Sequence, residues 1–72
     1  MIYQSFKEHR FCEEIGEYVT YGIKTEDEAY TISDISSNDE VIDNITGCMN
    51  KNDVSVLHMN DVIEDMIISY SL

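Results

Sequence analysis

The sequence predicts an α+β fold in the order βββαα: a three-stranded antiparallel meander followed by two helices packed on one face. Three observations predict it. In His58–Tyr70, Met59, Val62, Ile63, Met66, Ile67 and Tyr70 recur at the three-and-four spacing of one helical face, with Asn60, Asp61, Glu64 and Asp65 opposite. Residues 17–25 (E-Y-V-T-Y-G-I-K-T) are dense in β-branched and aromatic side chains that favour a pleated surface. The early segments are joined by short connections, which make neighbouring strands pair antiparallel.

The first strand runs from Ile2 to about Phe11, with Ile2, Gln4 and Phe6 on one side and Tyr3, Ser5 and Lys7 on the other. Glu13-Glu14-Ile15-Gly16 is a turn in which Gly16 is free to take positive φ. Glu17–Thr25 is the second strand. Its Val19, Tyr21 and Ile23 make the more apolar face and are assigned to the core; Tyr18, Thr20 and Gly22 make the other. A glycine inside a strand marks a bulge or a close approach by another group, so Gly22 is expected to do one or the other. Glu26-Asp27 is a tight connection to a third strand over Glu28–Ser33, with Tyr30 and Ile32 inward and Thr31 outward.

Ser37-Asn38-Asp39-Glu40 has the spacing of a capping box, in which Ser37 and Glu40 satisfy each other's backbone donors. Asp39, Glu40 and Asp43 then lie near the positive end of the helix dipole, where anions stabilise by ~0.3–1 kcal/mol each. This helix extends to about Met49 and buries Val41, Ile42, Ile45, Cys48 and Met49. Gly47 weakens it by ~1 kcal/mol relative to Ala, which suggests a neighbouring backbone close by. Asn50–Asp53 ends it, Val54–Leu57 is an extended link, and the last two residues are expected to fray. The expected core is Phe6, Val19, Tyr21, Ile23, Tyr30, Ile32, Ile35, Val41, Ile42, Ile45, Met49, Leu57, Val62, Ile63, Met66 and Ile67.

Size and charge narrow the function. At 72 residues the chain forms one domain over 1–72. Such a chain buries only ~60% of its unfolded surface, which leaves little room for a scaffold and a deep cleft together. Its net charge of −11 is unevenly placed: residues 1–25 balance to −1, and residues 26–72 hold eleven acids against Lys51. A field of this sign repels nucleic acid and anionic membranes and suits a basic protein partner. Met1–Ser5 has no basic n-region or apolar run, and no apolar stretch approaches ~20 residues. The expected compartment is therefore the cytoplasm, with Cys12 and Cys48 reduced.

Chemistry-bearing patterns are weak. Gly16, Gly22 and Gly47 are isolated, so no phosphate-cradling loop is formed, and the acidic runs lack the spacing of a calcium loop. His9, Cys12, Cys48 and His58 are too dispersed for the converging tetrahedron that zinc requires. His58 is better read as a helix-start residue that caps or pairs with Asp61 or Asp53. No metal, cofactor or catalytic residue is assigned, and the chain is read as non-enzymatic.

The motifs G-E-Y-V-T-Y-G-I at Gly16–Ile23, I-S-D-I-S at Ile32–Ser36 and L-H-M-N-D-V-I-E-D-M-I at Leu57–Ile67 resemble, in order and spacing, a group of small clostridial proteins catalogued as a domain of unknown function. The resemblance covers roughly residues 16–67. Members often carry proline just before the His motif, where this chain has Val56. It implies a bacterial cytoplasmic domain and supplies no activity.

Two helices cannot cover both sides of a sheet. The face with Tyr3, Tyr18 and Thr20 is thus a candidate contact surface, and an open edge strand is a second, each able to serve a protein partner or a homodimer. The carboxylates Asp39, Glu40, Asp43, Asp61, Glu64 and Asp65 form a third candidate. They suit either a basic protein or, through mimicry of nucleic acid, a basic nuclease of the kind targeted by anti-CRISPR and anti-restriction inhibitors.

Overall fold

The structure, a computed structural model, describes residues 2–71. The elements follow in the order β1 (Tyr3–Cys12), β2 (Gly16–Thr25), β3 (Thr31–Ser36), α1 (Asp39–Lys51) and α2 (Met59–Ser71), with a 3-10 turn at Val56–His58 before α2. The strands form one antiparallel sheet in the order β1-β2-β3. This is the βββαα arrangement expected. The expectation for Leu72 lies outside the described residues.

Turn length fixes the register of the first hairpin. Three residues, Glu13–Ile15, connect β1 to β2, and Gly16 takes φ +80°, a region that costs glycine nothing. The ladder that follows sets Tyr3 opposite Thr25, Ser5 opposite Ile23, Phe6 opposite Gly22 and Glu8 opposite Thr20. Directly opposed residues share a face, so Tyr3 lies on the side of Ile23, and Phe6 on the side of Tyr18 and Thr20. This reverses the expectation for β1. Tyr3 is only 2% exposed and belongs to the core, while Phe6 is half-buried on the face away from the helices.

The core is a single cluster of Tyr3, Ile23, Ile42, Ile45, Met49, Met59 and Ile63. Tyr21, Ile32, Ile35, Val41, Val54, Val62, Met66 and Ile67 pack around it. Each fully buried Ile or Met contributes ~1.5–3 kcal/mol, so this cluster is the main favourable term for so short a chain. Helix α1 lies against all three strands, and α2 lies against α1. Besides Phe6, three expected core residues are displaced. Val19 is only half-buried, Tyr30 is exposed in the β2–β3 loop, and Leu57 is 84% exposed because the 3-10 turn swings it outward.

The second connection is longer than expected. It covers Glu26–Tyr30, and β3 starts at Thr31 rather than at Glu28. Asp27 organises it: its Oδ1 accepts from the Thr25 hydroxyl at 2.6 Å and from the Ala29 amide at 3.1 Å. The Thr25 oxygen in turn accepts from the Tyr30 amide at 3.2 Å. Glu28 sits at φ +60° and its carboxylate pairs with Lys24 at 2.6 Å. Between the pairs Ile23–Ile32 and Tyr21–Ser36, one residue of β2 faces three of β3, and Asp34 absorbs the excess at φ +55°. Gly22 is the β2 residue at this irregularity. A Cβ there would lie 2.5 Å from the Ile32 carbonyl oxygen and from Phe6, so the expected close approach is present. The corresponding expectation for Gly47 is not met, since a Cβ there meets nothing within 4 Å.

Helix α1 starts one residue later than the capping box implied. Asn38, not Ser37, is the N-cap, and its Oδ1 accepts from the Glu40 amide at 3.0 Å. The helix ends in a Schellman motif: the Val54 amide donates to Met49 O, the Asp53 amide donates to Asn50 O, and Asp53 takes φ +49°. Before α2, Ser55 supplies the cap that the sequence suggested for His58, accepting from the Leu57 amide.

Candidate functional site

Strand β1 forms one edge of the sheet, and its backbone groups alternate in direction. The Glu26 amide donates to Ile2 O, which makes Ile2–Glu26 a hydrogen-bonded pair. By alternation Gln4, Phe6, Glu8 and Arg10 also spend their backbone groups on β2, and Tyr3, Ser5, Lys7, His9 and Phe11 turn theirs outward. At Tyr3 the outward groups are taken. The Asn50 side chain accepts from the Tyr3 amide at 2.7 Å and donates to the Tyr3 carbonyl at 3.0 Å. One amide side chain thus acts as a stub of a fourth strand. The Tyr3 hydroxyl donates to Val54 O at 2.6 Å, so this tyrosine ties β1 to the end of α1 at three points. Burial, and secondarily the Asp53 carboxylate, raise its pKa above the ordinary tyrosine value.

From Ser5 to Phe11 the outward rail has no partner among the described residues. The side chains along it are exposed at Ser5, Lys7, His9 and Phe11, with Phe11 71% exposed. Ile15, in the turn, is 69% exposed. Free strand donors and acceptors beside exposed apolar groups are the elements of strand addition by another chain.

The face away from the helices offers less than the sequence suggested. Thr20 is on that face but buried, its hydroxyl donating to Ser36 O at 3.2 Å. Tyr3 is on the opposite side. Of the three residues expected on an open contact face, Tyr18 alone is there and half-exposed. Phe6 closes over Gly22, and Lys24 sits 5.9 Å from the Phe6 ring centroid. Glu8 accepts from Arg10 at 3.1 Å through Oε2, while its Oε1 is removed from water without a hydrogen-bond donor.

The acidic candidates are found where sequence periodicity put them. Asp39, Glu40 and Asp43 on α1 and Asp61, Glu64 and Asp65 on α2 are all exposed, and Lys51 is the basic residue of these two helices. Lowered carboxyl pKa values occur elsewhere: at Asp27, held down by the Thr25 hydroxyl and then the Ala29 amide, and at Glu28, held down by its bond to Lys24. Among the described residues no cavity forms, and no three His, Cys, Asp or Glu side chains converge as metal ligands. Cys12 and Cys48 are free thiols. No described helix is long and apolar enough to cross a membrane.

An open edge strand is expected from the sequence, but not that it is β1 or that Ser5, Lys7, His9 and Phe11 are the residues turned outward. The signal for the latter was present: once the turn is fixed at three residues, the parity of every β1 residue follows. Comparison with known proteins finds a match over residues 1–69 to a family described as being of unknown function, DUF6514. The match takes in β1 and so extends beyond the resemblance in residues 16–67. No curated protein and no solved structure matches the chain.

Proposed function

We propose that this chain, which belongs to the DUF6514 family of unknown function, is a protein-interaction module that catalyses no reaction and works in the cytoplasm. The observation that supports this reading is the outward rail of β1 from Ser5 to Phe11, flanked by exposed Phe11 and Ile15. A partner strand laid along it gains backbone hydrogen bonds, and its alternate side chains meet Lys7, His9 and Phe11. Proline is tolerated on an edge strand where its missing N–H would face solvent, so His9→Pro removes one outward donor and leaves the inner ladder intact. With tagged protein as bait in extract of the native host, His9→Pro is expected to lose the specific partner while keeping the wild-type circular dichroism spectrum. Retention of the partner by His9→Pro sinks the edge reading.

A second reading is favoured by a separate observation. Six exposed carboxylates on two helices, against one lysine, give a charge density suited to a basic nucleic-acid channel. Mimicry predicts binding that falls steeply with salt and vanishes when Asp39, Glu40, Asp43, Asp61, Glu64 and Asp65 are changed to amides. Edge binding predicts little effect of either change.

A further inference from the structure

We infer that the strand added to β1 is β1 of a second copy of this chain, paired antiparallel about a two-fold axis through His9. The inference rests on the edge reading above and names its partner. A symmetric antiparallel pair can use only registers that oppose outward-turned residues, which leaves few choices. Centring on Lys7, Glu8 or Arg10 opposes that residue to its own copy and sets like charges face to face. Centring on Phe11 leaves almost no overlap, since β1 ends at Cys12, and centring on Ser5 or Phe6 runs the second strand onto Tyr3, whose outward groups Asn50 holds. Centring on His9 opposes Glu8 to Arg10 of the other copy, twice, and Lys7 to Phe11, twice.

Three features of the molecule agree with this register. The overlap spans Phe6–Cys12 of each strand and therefore stops short of Tyr3, whose outward groups Asn50 already holds. Glu8 has one carboxylate oxygen on its own Arg10 and a second, Oε1, without a donor, so a turn of the carboxylate toward the edge gives a second guanidinium an acceptor. The charge distribution also permits it. Residues 1–25 balance to −1 and the pairing segment itself, with Lys7, Glu8 and Arg10, to +1, whereas the β2–β3 loop, β3 and the helices, residues 26–72, carry the remaining −10. Two copies can thus meet along β1 with their acidic layers kept out of the contact.

A charge swap tests both the association and the register. Glu8→Arg and Arg10→Glu are made separately, their folding checked by circular dichroism, and their masses measured by sedimentation equilibrium. The wild type is expected to shift with concentration from 8.3 kDa toward twice that value. Each variant alone, having like charges across the pair, is expected to stay monomeric, and an equimolar mixture to recover the heavier species. In wild type made from labelled and unlabelled copies, a cross-chain NOE from Glu8 Hα to Arg10 Hα is expected, because α-protons face each other at a non-hydrogen-bonded pair. Wild type that is monomeric throughout overturns the proposal, as does a mixture that fails to associate. A purified monomer whose capture of another protein is still abolished by His9→Pro would leave the edge reading standing and remove only the self-pairing.

Discussion

Tyr3 shows how much one residue can hold in a thin domain. Its ring is in the core, its hydroxyl donates to Val54 O, and its backbone is clamped by Asn50. Tyr3→Phe keeps the ring and leaves the Val54 carbonyl without that donor, an expected loss of ~0.5–1.5 kcal/mol in urea unfolding at neutral pH. The tyrosine pKa is raised in the fold, so its contribution is complete below the unfolded value of ~10 and is lost as pH rises through the folded one. The Phe variant is expected to lack that part of alkaline unfolding. The glycines give a matched pair of expectations. At Gly22 a Cβ meets the Ile32 carbonyl oxygen and Phe6, so Gly22→Ala should destabilise by ~1–3 kcal/mol. At Gly47 it meets nothing, so Gly47→Ala should stabilise α1 by up to ~1 kcal/mol. Urea midpoints moving in the same direction for both would contradict the placement of one of them.

At the scale of elements, the two hairpin connections decide what each strand presents. The β2–β3 loop depends on ionised Asp27, whose carboxyl is held below the usual aspartate range by Thr25 and Ala29. A depressed folded-state pKa gives stability that is present above the unfolded value of ~3.9 and is lost as pH falls through the folded one. Asp27→Asn keeps an acceptor without the charge. Its thermal midpoint should fall less than that of wild type as pH drops below ~4. An identical acid profile would mean that Asp27 does not organise the loop. The helices, and β2 with its inward Ile23, were legible in the sequence because periodicity alone determines them. Strand β1 was not. Its two faces are about equally apolar, with Ile2 and Phe6 against Tyr3, and only pairing with β2 breaks the tie. The roles of Asn50 and Asp27 are not legible in the sequence, because they require a partner distant along the chain or a longer loop than the spacing implies. Hydrophobicity alone points Leu57 inward and cannot foresee the 3-10 turn.

At the scale of the molecule, charge is divided between a nearly neutral β1–β2 hairpin and an acidic remainder, the β2–β3 loop, β3 and the helices. Self-repulsion in a chain of net charge −11 opposes compaction, and salt relieves it. Stability against urea should therefore rise between low ionic strength and about 0.15 M, where the Debye length falls to ~8 Å. A decrease would mean that attractive pairs outweigh repulsion. The functional account depends on which β1 backbone groups are left over, and amide hydrogen exchange of β1, followed by NMR in dilute solution, reads this directly. Slow exchange is predicted at Phe6, Glu8 and Arg10, and also at Tyr3 because of Asn50; fast exchange is predicted at Ser5, Lys7, His9 and Phe11. The opposite alternation, or protection at Lys7 and His9 in a dilute monomer, would show that the edge is not free.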